Sequence, residues 1–327
     1  MSEKQEFDKD IEHQGTRNDD PVHCRSCEGR NPRHLFTSKN VHGRHLLSND
    51  QFKIFECLDC KVIFTNIDVS DAYYQKYYPE NYYEESPSNS FAILLQKILD
   101  WTIFSRKLKL IKQYKPKGNK ILEVGCATGL FLNRLPDSFK KYGIEINPKG
   151  YQFIKENYDN ITIYNEDISK NALDTGDVRF DVIAIWHVLE HIANPDTFFK
   201  NLTKLLAKDG IIIMTIPNGN SLGFKLTKGA WFHLDTPRHL FFFRYEYLAS
   251  VLKKHKLQIK KLVSEPIEYF QDFPFSIHKK IGLNSTFFAW FLSPLTIPAA
   301  ICLRLLIALF FPLSSELNTY IVKKEAE

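Results

Sequence analysis

Four of the six cysteines fall into two pairs, Cys24/Cys27 and Cys57/Cys60, with two residues inside each pair and 29 between the pairs. Two such knuckles fit a four-thiolate tetrahedral zinc site, closed to further ligands and therefore structural. A second stretch with chemical content is Glu123-Val-Gly-Cys-Ala-Thr-Gly129, a glycine turn between a β-type run and an apolar helix start. Gly125 lets a ligand approach the backbone, and the helix N-terminus offers free N–H groups. Glu145 lies twenty residues beyond Gly125 at the end of the next β-type run. That is where a carboxylate accepts from a ribose diol in nucleotide-binding α/β sheets. Asp167 and Ile168 follow the third run, where an adenine amino group would find an acceptor. The expected ligand is an adenosine derivative at the strand C-termini. A third stretch, Trp231-Phe-His-Leu-Asp-Thr-Pro-Arg-His-Leu240, gathers His233, Asp235, Arg238 and His239. A histidine there can act as general base near neutral pH, Asp235 can orient it, and Arg238 can hold an anion such as phosphate. His187 and Glu190-His191, after the fourth β-type run, form a further polar group, in which His191 either caps a helix or bridges to His239.

These residues need a scaffold, and the hydrophobic pattern supplies one. Between Lys120 and Pro217 five β-rich runs (121–124, 142–145, 161–164, 182–186 and 211–215) alternate with helical ones. That alternation implies a parallel sheet with helical crossovers, an α/β Rossmann-like fold. Runs at 258–264 and 317–322 can complete the sheet. The dinucleotide fingerprint is absent, because Ala127 takes the middle glycine position and no third glycine follows. Upstream, the cysteine module at 21–66 is too small to fold on apolar burial alone. A Tyr-rich stretch (Tyr73, Tyr74, Tyr77, Tyr78, Tyr82, Tyr83) and an amphipathic helix over 91–114, ending in a basic run, fill residues 67–114. The expected organisation is a disordered tail over 1–20, the zinc ribbon over 21–66, the Tyr-rich and helical segment, and a core over 115–265. An apolar helical insertion over 266–315 and a last strand over 316–327 follow.

The loop Glu123-Val-Gly-Cys-Ala-Thr-Gly129, with Glu145 and Asp167, resembles that of class I S-adenosylmethionine-dependent methyltransferases, from Lys120 to about Ser264. The resemblance implies that Glu123, Gly125, Cys126, Ala127 and Gly129 border the methionine part of the cofactor. It places Glu145 on the ribose, Asp167 and Ile168 on the adenine, and His187 in the lining after the fourth strand. The ribbon followed by Tyr73-Tyr-Gln-Lys-Tyr-Tyr78 looks like the N-terminal half of a subgroup found among sugar C-methyltransferases and surface-polysaccharide enzymes. In that subgroup a loop histidine removes a proton from the acceptor, and His239 sits at the matching place; His233, Asp235 and His191 are the other catalytic candidates.

Composition narrows the partners. The 327 residues carry a net charge of +5, spread thinly, so no nucleic acid is expected. The first 20 residues hold seven acidic and three basic side chains and no apolar core, which reads as no signal peptide and a cytoplasmic location. From Phe287 to Leu313 only Arg304 is charged, and Pro294, Pro298 and Pro312 interrupt the run. Two membrane crossings need about 40 apolar residues, and Arg at mid-bilayer costs roughly 2.5–3.5 kcal/mol. A lid, or a helical pair lying at the inner membrane surface, fits better than a span. The function expected is methyl transfer to oxygen or carbon of a small acceptor, such as a nucleotide- or lipid-linked sugar. The alternatives are an RNA methyltransferase with a zinc module, or a non-catalytic adenosine-binding scaffold.

Overall fold

Unbroken runs of β-branched residues call for a sheet covered on both faces, whereas alternating runs suit a sheet with one wet side. Both kinds occur in the computed structural model, which describes residues 22–42, 45–78, 90–269, 271–282, 299 and 302–325. The tail over 1–20, Tyr82, Tyr83 and most of the apolar run before 302 lie outside the described residues. The N-terminal part is an antiparallel meander of β1 (Pro32–His42), β2 (His45–Cys57) and β3 (Ile63–Asn66), followed by α1 (Asp71–Tyr77) and α2 (Ser90–Tyr114).

The core follows with β4 (Lys120–Val124), α3 (Leu130–Arg134), β5 (Lys140–Ile144), α4 (Pro148–Asn157) and β6 (Ile161–Tyr164). Next come β7 (Phe180–Trp186), α5 (Pro195–Leu205), β8 (Leu206–Pro217), α6 (Leu222–Thr227) and β9 (Phe241–Phe242). The chain ends with α7 (Tyr245–Lys254), β10 (Leu257–Ser264), α8 (Asp272–Lys280) and β11 (Leu317–Lys324). Seven strands make the main sheet in the order β10-β11-β8-β7-β4-β5-β6. The five expected parallel strands run from the β6 edge to β8, and β11 and β10 add on antiparallel beyond β8. The order reverses beside β4, where ligands bind in open α/β sheets. Local chemistry sets the crossovers: Asn147 and Asn194 cap α4 and α5 through their side chains, each followed by a proline in the first turn.

Three features go beyond the reading of the sequence. The cysteine module does not close its own sheet. Its fourth strand is β9, from the far half of the chain, with Phe64 opposite Phe241 and the Thr65 hydroxyl donating to the His239 carbonyl at 2.7 Å. The basic run of α2 is not a solvated face throughout. Lys107 turns inward and its Nζ reaches Glu268 Oε1 at 3.0 Å, while Arg106 pairs with Glu265 at 3.2 Å. The first half of α2 instead exposes Leu94, Ile98 and Trp101.

The third concerns Arg304, in a helical stretch over 302–310. Its guanidinium faces the protein, not a bilayer: it donates to Asp272 Oδ1 at 2.8 Å and to the carbonyls of Glu265 (2.7 Å), Glu268 (3.1 Å) and Tyr269 (2.5 Å). A guanidinium has five donors in a rigid fork, and here the loop between β10 and α8 curls around it. Leu305, Leu306, Leu309 and Phe310 consequently face outward. Among the described residues no helix is long and apolar enough to cross a membrane.

Candidate active site

The glycine turn after β4 adopts left-handed backbone at Gly125 (φ 69°), Ala127 (φ 49°) and Gly129 (φ 73°). A Cβ on Gly125 would stand 2.6 Å from Val188 Cγ2, so the turn is pressed against the segment after β7 and only glycine fits. The N–H groups of Gly125 and Cys126 both donate to the Ile144 carbonyl, at 2.8 and 3.1 Å. Glu145 sits directly after β5 with Oε2 accepting from Ala127 N–H (2.7 Å) and Oε1 from Asn147 N–H (2.8 Å). Each carboxylate oxygen keeps a second lone pair for a hydroxyl donor. Burial raises the Glu145 carboxyl above its ordinary value, and the backbone donors oppose the shift. Glu123 is buried with Oε2 unpartnered among the described residues; desolvation pushes its carboxyl well up, against the pull of Lys107. The Cys126 side chain packs over Gly143, whose added Cβ would meet its Sγ at 2.6 Å, so Cys126 contributes backbone to the loop. Asp167 Oδ1 accepts from Ser169 N–H at 2.9 Å, and the buried Ile168 has its carbonyl held by Asn201 Nδ2 at 3.0 Å.

Two residues past Val188, which presses on this turn, begins a polar cluster that joins two distant parts of the chain. His239 Nδ1 donates to the His233 carbonyl at 2.8 Å, which leaves the lone pair on Nε2; that nitrogen is 4.0 Å from Glu190 Oε1 and 3.7 Å from Asp235 Oδ2. His191 stands edge-on to His239 with centroids 4.7 Å apart, and its Nδ1 is 3.0 Å from the Arg238 carbonyl. His191 ends a short turn over Leu189–His191, packs against His239, and also has its Nδ1 3.1 Å from the Tyr78 hydroxyl. Desolvation, then the neighbouring His191, pushes His239 well below the ordinary imidazole value, which favours its neutral form. Glu190 is buried, neither of its oxygens makes a hydrogen bond among the described residues, and desolvation pushes its carboxyl up to about 7.

The remaining members of the His-rich stretch require correction. Arg238 is fully buried: Nε and Nη2 donate to Asp235 Oδ1 (3.0 and 2.7 Å), Nη2 to the Val41 carbonyl (2.6 Å) and Nη1 to Asn40 (3.2 Å). It ties β1 to the loop and is not placed to hold a phosphate. Asp235 also receives His42 Nδ1 at 2.9 Å. Burial works to raise its carboxyl, but His42, His239 and Arg238 outweigh burial and hold it below the ordinary carboxylate range. His233 points to Asp272, Nε2 to Oδ2 at 2.8 Å, and it supports His239 only through its backbone carbonyl.

A glycine turn, an acid after the second parallel strand and a polar cluster after the fourth follow the carboxyl ends of neighbouring strands of one sheet. The family described as "Methyltransferase domain" matches residues 97–262, slightly more than half of the chain. The chain belongs to that family.

Among curated proteins, this methyltransferase is 24% identical over 179 residues to the ubiquinone biosynthesis O-methyltransferase of Proteus mirabilis, covering 51% of this chain and 65% of that protein. It is 25% identical over 119 residues to the protein of the same name from Glaesserella parasuis, covering 33% of this chain and 50% of that one. The chain thus spans half to just under two thirds of the length of these relatives. Among solved structures, the O-methyltransferase from a trans-AT PKS multienzyme of Brevibacillus brevis, in complex with S-adenosyl-L-homocysteine, aligns at 17% identity with a TM-score of 0.47. That alignment covers 79% of this chain and 81% of that one.

Several groups of the methyltransferase site escaped the sequence reading. Glu268 Oε1 accepts from Lys107 Nζ and, at 3.1 Å, stands against His187 Nε2; burial tends to raise its carboxyl, yet Lys107 and His187 hold it low. His187, in left-handed backbone (φ 55°), thus lies between the two carboxylates, with Nε2 toward Glu268 and Nδ1 3.8 Å from Glu190 Oε1. Lys107 Nζ lies 4.4 Å from the Trp186 ring centroid. The one signal available was the spacing of Glu265, Glu268 and Asp272 just ahead of the apolar run. The four N-terminal cysteines do come together, with Sγ atoms 3.6 Å apart for Cys24/Cys60 and for Cys27/Cys57, all four within 4.8 Å of one another. Zinc–sulfur bonds of about 2.3 Å in a tetrahedron put sulfurs about 3.8 Å apart, so the donor set fits that metal.

Proposed function

We propose that this chain transfers a methyl group from S-adenosylmethionine to an oxygen of a small acceptor, a nucleotide- or lipid-linked sugar or a molecule of similar chemistry. The observation that carries the reading is the pairing of the Glu145 carboxylate with the left-handed glycine turn, beside Glu123, whose buried Oε2 has no hydrogen bond among the described residues. Glu145 would hold the ribose hydroxyls, Asp167 and the Ile168 backbone the adenine, and Glu123 with the turn the amino-acid end. When bound, the cofactor supplies an electrophilic methyl group on a sulfonium that leaves as a neutral thioether. His239 is the residue proposed to take the acceptor's proton. A neutral imidazole with its Nδ1 proton already donated has a lone pair for a hydroxyl, which favours oxygen over carbon. The O-methyltransferase names of the curated relatives support the same choice.

The test is calorimetry with S-adenosylhomocysteine on metal-replete protein. Binding is expected for the wild type, with Glu145→Gln weaker by about 10- to 100-fold, the range of one or two charge-assisted hydrogen bonds. No heat with the wild type sinks the proposal; an unchanged Glu145→Gln removes that residue from it.

We also assign zinc to the four cysteines and the outward apolar side of 302–313 to a membrane surface that presents the acceptor. The support for the second is orientation: the single charge of the segment faces inward, while Leu309, Phe310 and Phe311 are each about two thirds exposed or more. Leu309→Glu with Phe310→Glu is expected to lower co-sedimentation with anionic phospholipid vesicles about 10-fold. Equal sedimentation of the two proteins would refute the assignment.

A further inference from the structure

Glu190, His191 and His239 each offer one ligand atom, and these atoms all lie within 4.8 Å of one another. Their other contacts are those that metal-ligating side chains make. His239 uses Nδ1 on the His233 carbonyl (2.8 Å), which leaves a lone pair on its Nε2; His191 Nδ1 faces the Arg238 carbonyl (3.0 Å) and the Tyr78 hydroxyl (3.1 Å), and the tautomer that donates to the carbonyl likewise leaves its Nε2 lone pair for a cation. Glu190 is almost fully buried, and neither carboxylate oxygen receives a hydrogen bond among the described residues. A buried carboxylate without donors is costly, and such a group calls for a ligand. Lys107 is turned to Glu268 and Arg238 to Asp235, while His187 stands between two carboxylates, Nε2 3.1 Å from Glu268 Oε1 and Nδ1 3.8 Å from Glu190 Oε1, the latter beyond hydrogen-bond reach.

We propose that Glu190, His191 and His239 form a second metal site, distinct from the four cysteines, that binds a divalent first-row transition cation. Two imidazole nitrogens and one carboxylate oxygen suit the manganese-to-zinc series and disfavour magnesium and calcium, which prefer all-oxygen shells. Three protein ligands leave positions open for water or an oxygen of a small molecule, unlike the closed thiolate site. The proposal concerns binding and stands on the ligand set, independently of the acceptor and of the methyl-transfer reading. It does bear on His239: a cation on Nε2 occupies the lone pair assigned above to the acceptor's proton, so proton uptake there requires the cation-free form.

Cobalt(II) substitution of the full-length protein separates the two sites by spectrum. A thiolate site gives intense sulfur-to-cobalt charge transfer in the near ultraviolet, and a nitrogen–oxygen site gives only weak visible ligand-field bands. The expected result is that both components appear in the wild type, and that Glu190→Gln, and separately His191→Asn, abolishes the second while the charge-transfer bands remain as a check on folding. The proposal fails if the cobalt spectrum at saturation is the same in the wild type and in both variants, or if the wild type shows only the thiolate component. S-Adenosylhomocysteine calorimetry on the same samples reports the cofactor site separately, so loss of one reading does not mask the other.

Discussion

Cys57→Ser is expected to melt the N-terminal sheet and to abolish methyl transfer together with it. Cys57 ends β2, its sulfur is fully buried, and it lies 3.6 Å from Cys27 Sγ. Thiolate cages in small modules contribute apparent binding free energies of about 10 kcal/mol or more, which exceeds what any single contact in the meander supplies. The loss propagates, because β9 hydrogen-bonds to β3 and the Thr65 hydroxyl holds the His239 carbonyl. The measurement is hydrogen exchange on the amides of β1 to β3, alongside zinc content and turnover. Protection of those amides unchanged in zinc-free Cys57→Ser protein would show that the sheet stands without metal. A strong chelator applied to the wild type is expected to reproduce the same pattern.

His239→Gln is expected to lower kcat by about 10²- to 10⁴-fold, the range attributed to a positioned proton acceptor, with the affinity for S-adenosylhomocysteine within about twofold of wild type. Glutamine retains a polar group of similar reach but has no basic lone pair. His233→Phe, which keeps a ring but has no donor, makes the contrast that separates chemistry from support. Its imidazole faces Asp272, which also receives Arg304, so its removal leaves one buried carboxylate oxygen without a donor. That change costs about 1–3 kcal/mol of stability and should appear as a lower Tm, with kcat altered far less than in His239→Gln. If the two substitutions lower kcat equally at a temperature where both proteins are folded, His239 loses its assigned role.

The two histidines show where residue types ceased to be informative. Both are ionisable, six residues apart and next to an aspartate, and nothing in that spacing says which imidazole keeps a free nitrogen. The partners that decide it, Asp272 for one and the His233 carbonyl for the other, depend on how α8 and the loop after α6 pack. Arg238 illustrates the same limit: an arginine in a polar loop reads as an anion holder until β1, nearly 200 residues earlier, is found wrapped around it.

The main sheet was legible because its information is local. Continuous apolar runs separated by helical periods, a glycine turn after the first strand and an acid after the second depend on neighbours a few residues apart, and backbone sterics make them mean the same thing in any context. Cysteine pairing was legible for a similar reason, since thiolate geometry restricts the spacings that work. What remained hidden were contacts between segments far apart in the chain that no periodicity marks: β9 closing the cysteine sheet, Lys107 leaving its helix face for Glu268, and Arg304 drawn into the loop ahead of α8. Buried charges choose partners only after burial has removed water as the alternative, and burial is a property of the packed chain.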